Sequence, residues 1–240
     1  NDKGFVIWDL EKMACQKLLC KVGSSVYVLK AIPNTNLLAI GMRSGQVLLL
    51  DSTDQTLVAN WKTEHGAVFS IQILMDKQEM IAIGEEGYAY VWDLRTYQLL
   101  YRFKIAETTV RTIAVSNDQQ QLAFGDKNGV IHVYQADDYQ ERIKKQIHSM
   151  PVTSLIYMNN HIISGGRDAQ LFKLESNNLD TIQQITPHMF TVYSIDNGGH
   201  DDIFATASRD KTWKIWKEKD LTLLKNVSRD RFYDSHHLSI

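Results

Sequence analysis

Apolar and polar positions along this 240-residue chain come in short bursts, and nowhere does a 3.6-residue apolar period persist. Residues 204–207 and 212–216 are two such bursts, joined by the polar turn Ser208-Arg209-Asp210-Lys211. Short apolar runs around a charged turn predict a tight antiparallel hairpin. That frame recurs. A large closing residue stands at Trp8, Leu50, Trp92, Tyr134, Leu174 and Trp216, with spacings of 42, 42, 42, 40 and 42. Six positions before each lie Asp2, Ser44, Glu86, Asn128, Asp168 and Asp210, nearly all small or acidic turn formers. A leading valine at 26, 68, 110, 152 and 192 precedes its closing residue by 24, 24, 24, 22 and 24 positions. Three landmarks held in register over five repeats define a repeat protein.

Each unit reads as four short strands bounded by Gly, Asn and Asp turns. In the first full unit they cover 26–32, 37–40, 46–50 and 57–61. The third strand is apolar on both faces, as in Val47-Leu48-Leu49-Leu50 and in Trp213 and Ile215 opposite Trp216. Burial on two sides requires a layer on each side of the sheet, which small sheets stacked around an axis supply.

Val91-Trp92-Asp93, Ile7-Trp8-Asp9 and the run from Ser208 to Trp216 resemble the signature of the WD-repeat β-propeller family, whose period is about 40–45 residues. In overall character the chain is similar to uncharacterised bacterial WD-repeat domain proteins. Its repeats are degenerate: the usual Gly-His opening is absent, and Leu50, Tyr134 and Leu174 replace tryptophan. Only His65, His148 and His188 stand three or four residues before a leading valine. The resemblance implies an all-β fold, a β-propeller of four-stranded antiparallel blades forming a single domain over 1–240. Part of a first blade occupies 1–21, and full blades occupy 26–62, 68–104, 110–147, 152–185 and 192–227. The start of a further blade is expected at 236–240, because His236 and Ile240 repeat the spacing of His148 to Val152 and His188 to Val192. Five full blades and parts of two sum to seven, the usual number by resemblance. The expectation is a ring whose closure needs missing termini or another chain, since blades left open would expose apolar faces.

The family's hydrogen-bond tetrad carries over for one unit, onto His188, Thr206, Asp210 and Trp216. An indole N–H only donates and a carboxylate only accepts, while His and Thr do both, so the four can close a satisfied chain. The fourth unit keeps His148, Ser164 and Asp168 but has Leu174. A hydrolase triad of His188, Thr206 and Asp210 would need an exposed nucleophile, an oxyanion hole and a cleft, none visible in the sequence. No catalytic residues are expected.

Composition narrows the function further. A net charge of −2 argues against a general nucleic-acid or membrane-surface binder. No apolar run approaches the roughly 18 residues of a membrane span, and no signal-peptide pattern opens the chain. Cys15 and Cys20 lack a CxxC partner and read as reduced thiols, which suits a cytoplasmic protein. His236-His237 has no further ligand at metal spacing, so neither a metal nor a cofactor is expected. Lys144-Lys145 with Arg142 reads as protection of an outer strand edge.

These readings lead to a non-enzymatic protein–protein interaction scaffold. In the family, partners dock on the face carrying the strand 2–3 turns and the start of strand one. The residue after the leading valine is Tyr27, Phe69, Arg111, Thr153 or Tyr193, and the residue before the turn carboxylate is Arg43, Glu85, Lys127, Arg167 or Arg209. Aromatic and arginine side chains around one opening are the material of binding hot spots. Four of the five turn residues are basic, which predicts an acidic or phosphorylated peptide partner held with marked salt dependence. The competing class is a small-molecule-binding or enzymatic propeller with its site at the central channel.

Overall fold

The computed structural model describes residues 4–64 and 66–228. Asp2, His65, His236-His237 and the expected start of a blade at 236–240 lie outside the described residues. Among the described residues every regular element is a strand, in five four-stranded sheets and one two-stranded sheet. They fall into two compact units, Asn1–Val110 and Arg111–Ile240. In the first unit, β1 (Gly4–Asp9) pairs with β2 (Ala14–Lys21). Two meanders follow: β3 (Val26–Ala31), β4 (Leu37–Met42), β5 (Gln46–Asp51), β6 (Leu57–Lys62), then β7 (Val68–Leu74), β8 (Glu79–Gly84), β9 (Tyr88–Asp93), β10 (Leu99–Lys104). The remaining blades are β11 (Val110–Val115), β12 (Gln121–Asp126), β13 (Val130–Gln135), β14 (Glu141–Gln146), then β15 (Val152–Met158), β16 (His161–Gly166), β17 (Leu171–Glu175), β18 (Thr181–Ile185). The last is β19 (Val192–Asp196), β20 (Ile203–Ser208), β21 (Thr212–Lys217), β22 (Leu223–Ser228).

Closing residues hold the cores. Leu50, Trp92, Tyr134, Leu174 and Trp216 are all buried, while Trp8 on the two-stranded sheet is 56% exposed. In the first unit Leu49, Ile71, Met80 and Trp92 share one cluster, and the Trp61 indole lies 5.2 Å from that of Trp92 while donating to the Tyr97 carbonyl at 2.9 Å. In the second unit Val133, Leu155, Phe172 and Leu174 form one cluster, and Ile163, Val192, Phe204 and Trp216 another. Each large side chain so buried contributes roughly 1.5–3 kcal/mol. The leading valines need room to seat. Gly125 and Gly165 provide it, since a Cβ there would approach Cγ1 of Val152 and of Val192, in the next blade, to 2.6 and 2.8 Å.

Two further landmarks keep the same phase. Five residues after every closing residue the backbone turns left-handed at a non-glycine position: Met13, Gln55, Tyr97, Tyr139, Leu179 and Leu221. That conformation costs roughly 1 kcal/mol or more. Burial of the Tyr139, Leu179 and Leu221 side chains offsets it. Eight residues after each closing residue, at Gln16, Val58, Leu100, Arg142, Ile182 and Leu224, the outer strand bulges. A bulge twists an edge and disturbs its free hydrogen-bonding row, which discourages strand addition.

Among the described residues one buried side-chain polar group is unsatisfied. The Tyr157 hydroxyl is buried in the Leu155–Leu174 cluster without a hydrogen-bond partner, and burial pushes its pKa up. Removing an unpaired buried hydroxyl relieves a desolvation penalty. Tyr157→Phe is therefore expected to keep or raise stability, by up to about 1 kcal/mol. A lowered urea midpoint would mean that the hydroxyl has a partner.

Candidate partner-binding surface

The two sets of positions singled out in the sequence meet in four of the full blades. Val26 faces Met42 and Val28 faces Gly41, so Tyr27 is left over as a bulge. Phe69, Thr153 and Tyr193 are left over in the same way. A bulge re-aims its side chain away from the regular ladder. Tyr27 and Tyr193 are accordingly 47% and 56% exposed. The turn residue is then stitched beside it: the amides of Arg43, Glu85, Arg167 and Arg209 donate to the carbonyls of Ser25, Ala67, Pro151 and Thr191 at 2.9, 3.0, 2.8 and 3.1 Å. Those acceptors lie two residues before the bulge. Each of these four blades thus presents one bulge side chain and one turn side chain at the same end.

In the first unit the rings of Tyr27 and Phe69 stack at 5.4 Å with an interplanar angle of 8°. In the second unit Arg111, Lys127, Arg167 and Arg209 are exposed, while the Thr153 hydroxyl donates to the Gly165 and Val192 carbonyls. Arg95, Arg102, Lys104, Arg142, Lys144 and Lys145 all pair with carboxylates. Arg43, Lys127, Arg167 and Arg209 make no ion pair or side-chain hydrogen bond with a described residue. Sequence reasoning missed the exposed apolar residues next to them. Met150, Met189 and Phe190 are 42%, 84% and 54% exposed in the loops before β15 and β19. The signal available was two residues of loop following His148 and His188, with no apolar neighbour to cover them.

The tetrad residues stand in one hydrogen-bonded chain. The Trp216 indole donates to Thr206 Oγ1 at 2.9 Å, Thr206 Oγ1 lies 2.8 Å from His188 Nε2, and His188 Nδ1 lies 3.1 Å from Asp210 Oδ2. Thr212, unforeseen in the sequence, joins by donating to Asp210 Oδ1 at 2.6 Å. Burial holds His188 below its ordinary pKa, so the ring is neutral. Burial pushes Asp210 up, but hydrogen bonds from Thr212 and the Met189 amide outweigh it and hold the carboxyl at about 2. In the fourth blade His148 Nε2 is 3.0 Å from Ser164 Oγ and Nδ1 is 2.9 Å from Asp168. Both sets have hydrolase-triad connectivity, yet Ser164 and Thr206 are 0% and 1% exposed, with neither hydroxyl open to a substrate. Among the described residues no cluster of His, Cys, Asp or Glu is disposed to hold a metal ion, and no helix is long and apolar enough to cross a membrane.

Phased four-stranded meanders with buried closing residues define a β-propeller. Residues 179–217 match the profile described as WD domain, G-beta repeat. A chain in a crystal structure of the mitotic checkpoint complex superposes with a TM-score of 0.85 at 17% identity, covering 94% of this chain and 72% of that one. Among relatives, the U3 small nucleolar RNA-associated protein 18 homolog of Arabidopsis thaliana is 27% identical over 198 residues, 80% of this chain and 35% of that protein. The target of rapamycin complex subunit LST8 of Bos taurus is 22% identical, over 92% of this chain and 72% of its own length. Subunit I of eukaryotic translation initiation factor 3 from Neosartorya fischeri is 23% identical, over 86% and 54%. The chain therefore spans about a third of the first relative. These relatives are eukaryotic, which corrects the bacterial resemblance drawn from the sequence.

Proposed function

We propose that the chain is a non-enzymatic scaffold that binds a protein or peptide partner at the strand 2–3 turns and the bulges beside them. The partner presents an acidic or phosphorylated segment. One observation carries this reading: the turn cations Arg43, Lys127, Arg167 and Arg209 are exposed without ion pairs to described residues, whereas Arg102, Lys104, Arg142, Lys144 and Lys145 on outer strands pair with carboxylates. Exposed arginines beside Tyr193, Phe190 and the Tyr27–Phe69 stack offer bidentate anion contacts next to flat apolar surface. The names of two relatives, a complex subunit and an initiation-factor subunit, support a role in assemblies.

Reversing charge with Arg167→Glu and Arg209→Glu together is expected to remove the partner captured from cell extract. Capture by the unaltered protein should weaken steeply with added salt. Asp201→Lys with Asp202→Lys, at the β19–β20 turn on the other end of the blade, should leave capture unchanged. The opposite pattern, capture lost only in the second pair, would place the surface at the wrong end.

A further inference from the structure

The buried histidines keep different company. His148 meets one carboxylate and one hydroxyl, and His188 one carboxylate and the hydroxyls of Thr206 and Thr212, arrangements that a neutral ring satisfies. His132 meets two carboxylates: Nδ1 is 2.8 Å from Glu141 Oε1, and Nε2 is 3.4 Å from Asp126 Oδ2. A neutral imidazole has one N–H and one lone pair, so it serves one carboxylate and turns a lone pair on the other. Both contacts are attractive only when the ring is protonated. Burial opposes that charge, but the hydrogen bonds and fields of Asp126 and Glu141 prevail and raise His132 above its ordinary 6.5. Lys144 on β14 lies 3.5 Å from the other Glu141 oxygen. Tyr134, next on the same face of β13, stays neutral because burial and Glu141 push it up to about 12.

The trio is peculiar to one blade. The counterparts of His132 are Leu48, Tyr90, Phe172 and Lys214; those of Asp126 are Met42, Gly84, Gly166 and Ser208; those of Glu141 are Leu57, Leu99, Thr181 and Leu223. In no other full blade are all three positions ionisable. Asp126 also shapes the turn that carries Lys127, because its Oδ1 accepts the amides of Asn128 and Val130 at 2.8 and 2.9 Å.

We propose that His132 is a proton-operated latch that ties β14, through Glu141, to the β12–β13 turn, through Asp126, and so positions Lys127 for an anionic partner. The last step rests on the function proposed above, whereas the latch itself does not. When the proton leaves to solvent, the shorter Nδ1 contact keeps the remaining N–H. The Nε2 lone pair then faces Asp126 Oδ2, and the carboxylate that shapes the turn is repelled. Because the folded-state pKa is raised, the latch is closed below 6.5 and opens as pH rises through the higher folded value.

Nitrogen-15 NMR of the whole protein tests this through the His132 ring and the Lys127, Asn128 and Gly129 amides. The ring is expected to titrate at higher pH than His188, with the turn amides shifting at the same midpoint. Glu141→Gln should move both midpoints to lower pH, and His132→Gln should abolish the amide step. Ring titration at or below the His188 midpoint, or silent turn amides in the unaltered protein, overturns the latch even where His132→Gln fails to fold. A labelled octaglutamate peptide should bind less tightly above the midpoint in the unaltered protein and without that step in His132→Gln. Amide steps without peptide binding at any pH would overturn the proposed anionic partner and leave the latch standing. Binding that ignores the step would overturn the positioning of Lys127.

Discussion

Asp210→Ala is expected to destabilise the protein by about 2–4 kcal/mol, and Glu86→Ala at the equivalent turn of the second blade by less than about 0.5 kcal/mol. The Asp210 carboxylate accepts the Met189 amide at 3.2 Å, the Thr212 amide at 2.9 Å and the Thr212 hydroxyl at 2.6 Å, and it faces the buried His188. Truncation leaves the buried His188 ring and the part-buried Thr212 donors short of an acceptor, and the cost of unpaired buried groups exceeds the net worth of the bonds. Glu86 is exposed on a turn whose blade lacks the tetrad. Denaturant midpoints at neutral pH measure the difference; equal losses would mean that the tetrad is not a stabilising unit. The carboxyl is held at about 2, below its ordinary 3.8, so its contribution is present above 3.8 and is lost as pH falls toward about 2. The gap between the unaltered protein and Asp210→Ala should narrow over that window.

Gly129→Ala is expected to cost about 3 kcal/mol, and Ala169→Gly, at the same turn position one blade later, to raise stability by about 0.5–1 kcal/mol. Gly129 has φ 89°, and a Cβ there would lie 2.1 Å from the His148 carbonyl oxygen and 2.7 Å from that of Met150. Both are backbone atoms, so neither yields by changing rotamer. Ala169 holds the same left-handed conformation, with φ 63°, and already bears the strain that glycine would relieve. Thermal unfolding of the two variants gives both signs. A loss of stability in Ala169→Gly would show that its methyl contributes more by packing than its backbone loses by strain.

These positions mark where the sequence could be read and where it could not. The meanders were legible because valine, turn former and closing residue recur in phase, and β-strand pairing magnifies a regular pattern of buried positions. The strand 2–3 turns were legible from Gly45, Gly87 and Gly129. Ala169 and Lys211, left-handed without glycine, were not, because surrounding packing imposes their conformation. The outer bulges fall on Val58, Leu100, Arg142, Ile182 and Leu224, four aliphatic residues and an arginine that regular strand positions hold as readily, so only pairing register reveals them. Tyr27 and Tyr193 could be singled out as candidates, but the reason for their exposure, a bulge on the inner strand, is a property of the ladder. The Asp126–His132–Glu141 cluster was missed because its members are spaced by 6 and 9 residues across three strands and match no repeat landmark.

In four blades the strand 2–3 turn is stitched to the start of strand one by a backbone bond, an amide from Arg43, Glu85, Arg167 or Arg209 and a carbonyl two residues before the bulge, and the Glu85 carboxylate adds a bond from the Ala67 amide at 3.1 Å. Such a bond is indifferent to the side chain that it carries. Arginine and glutamate occupy the same station with the same geometry, and the buried positions behind them need not respond. Recognition can therefore be rewritten one blade at a time, as type is exchanged in a fixed frame. A lineage carrying this chain could acquire a new partner through single codon changes at these stations while its cores stayed as they were.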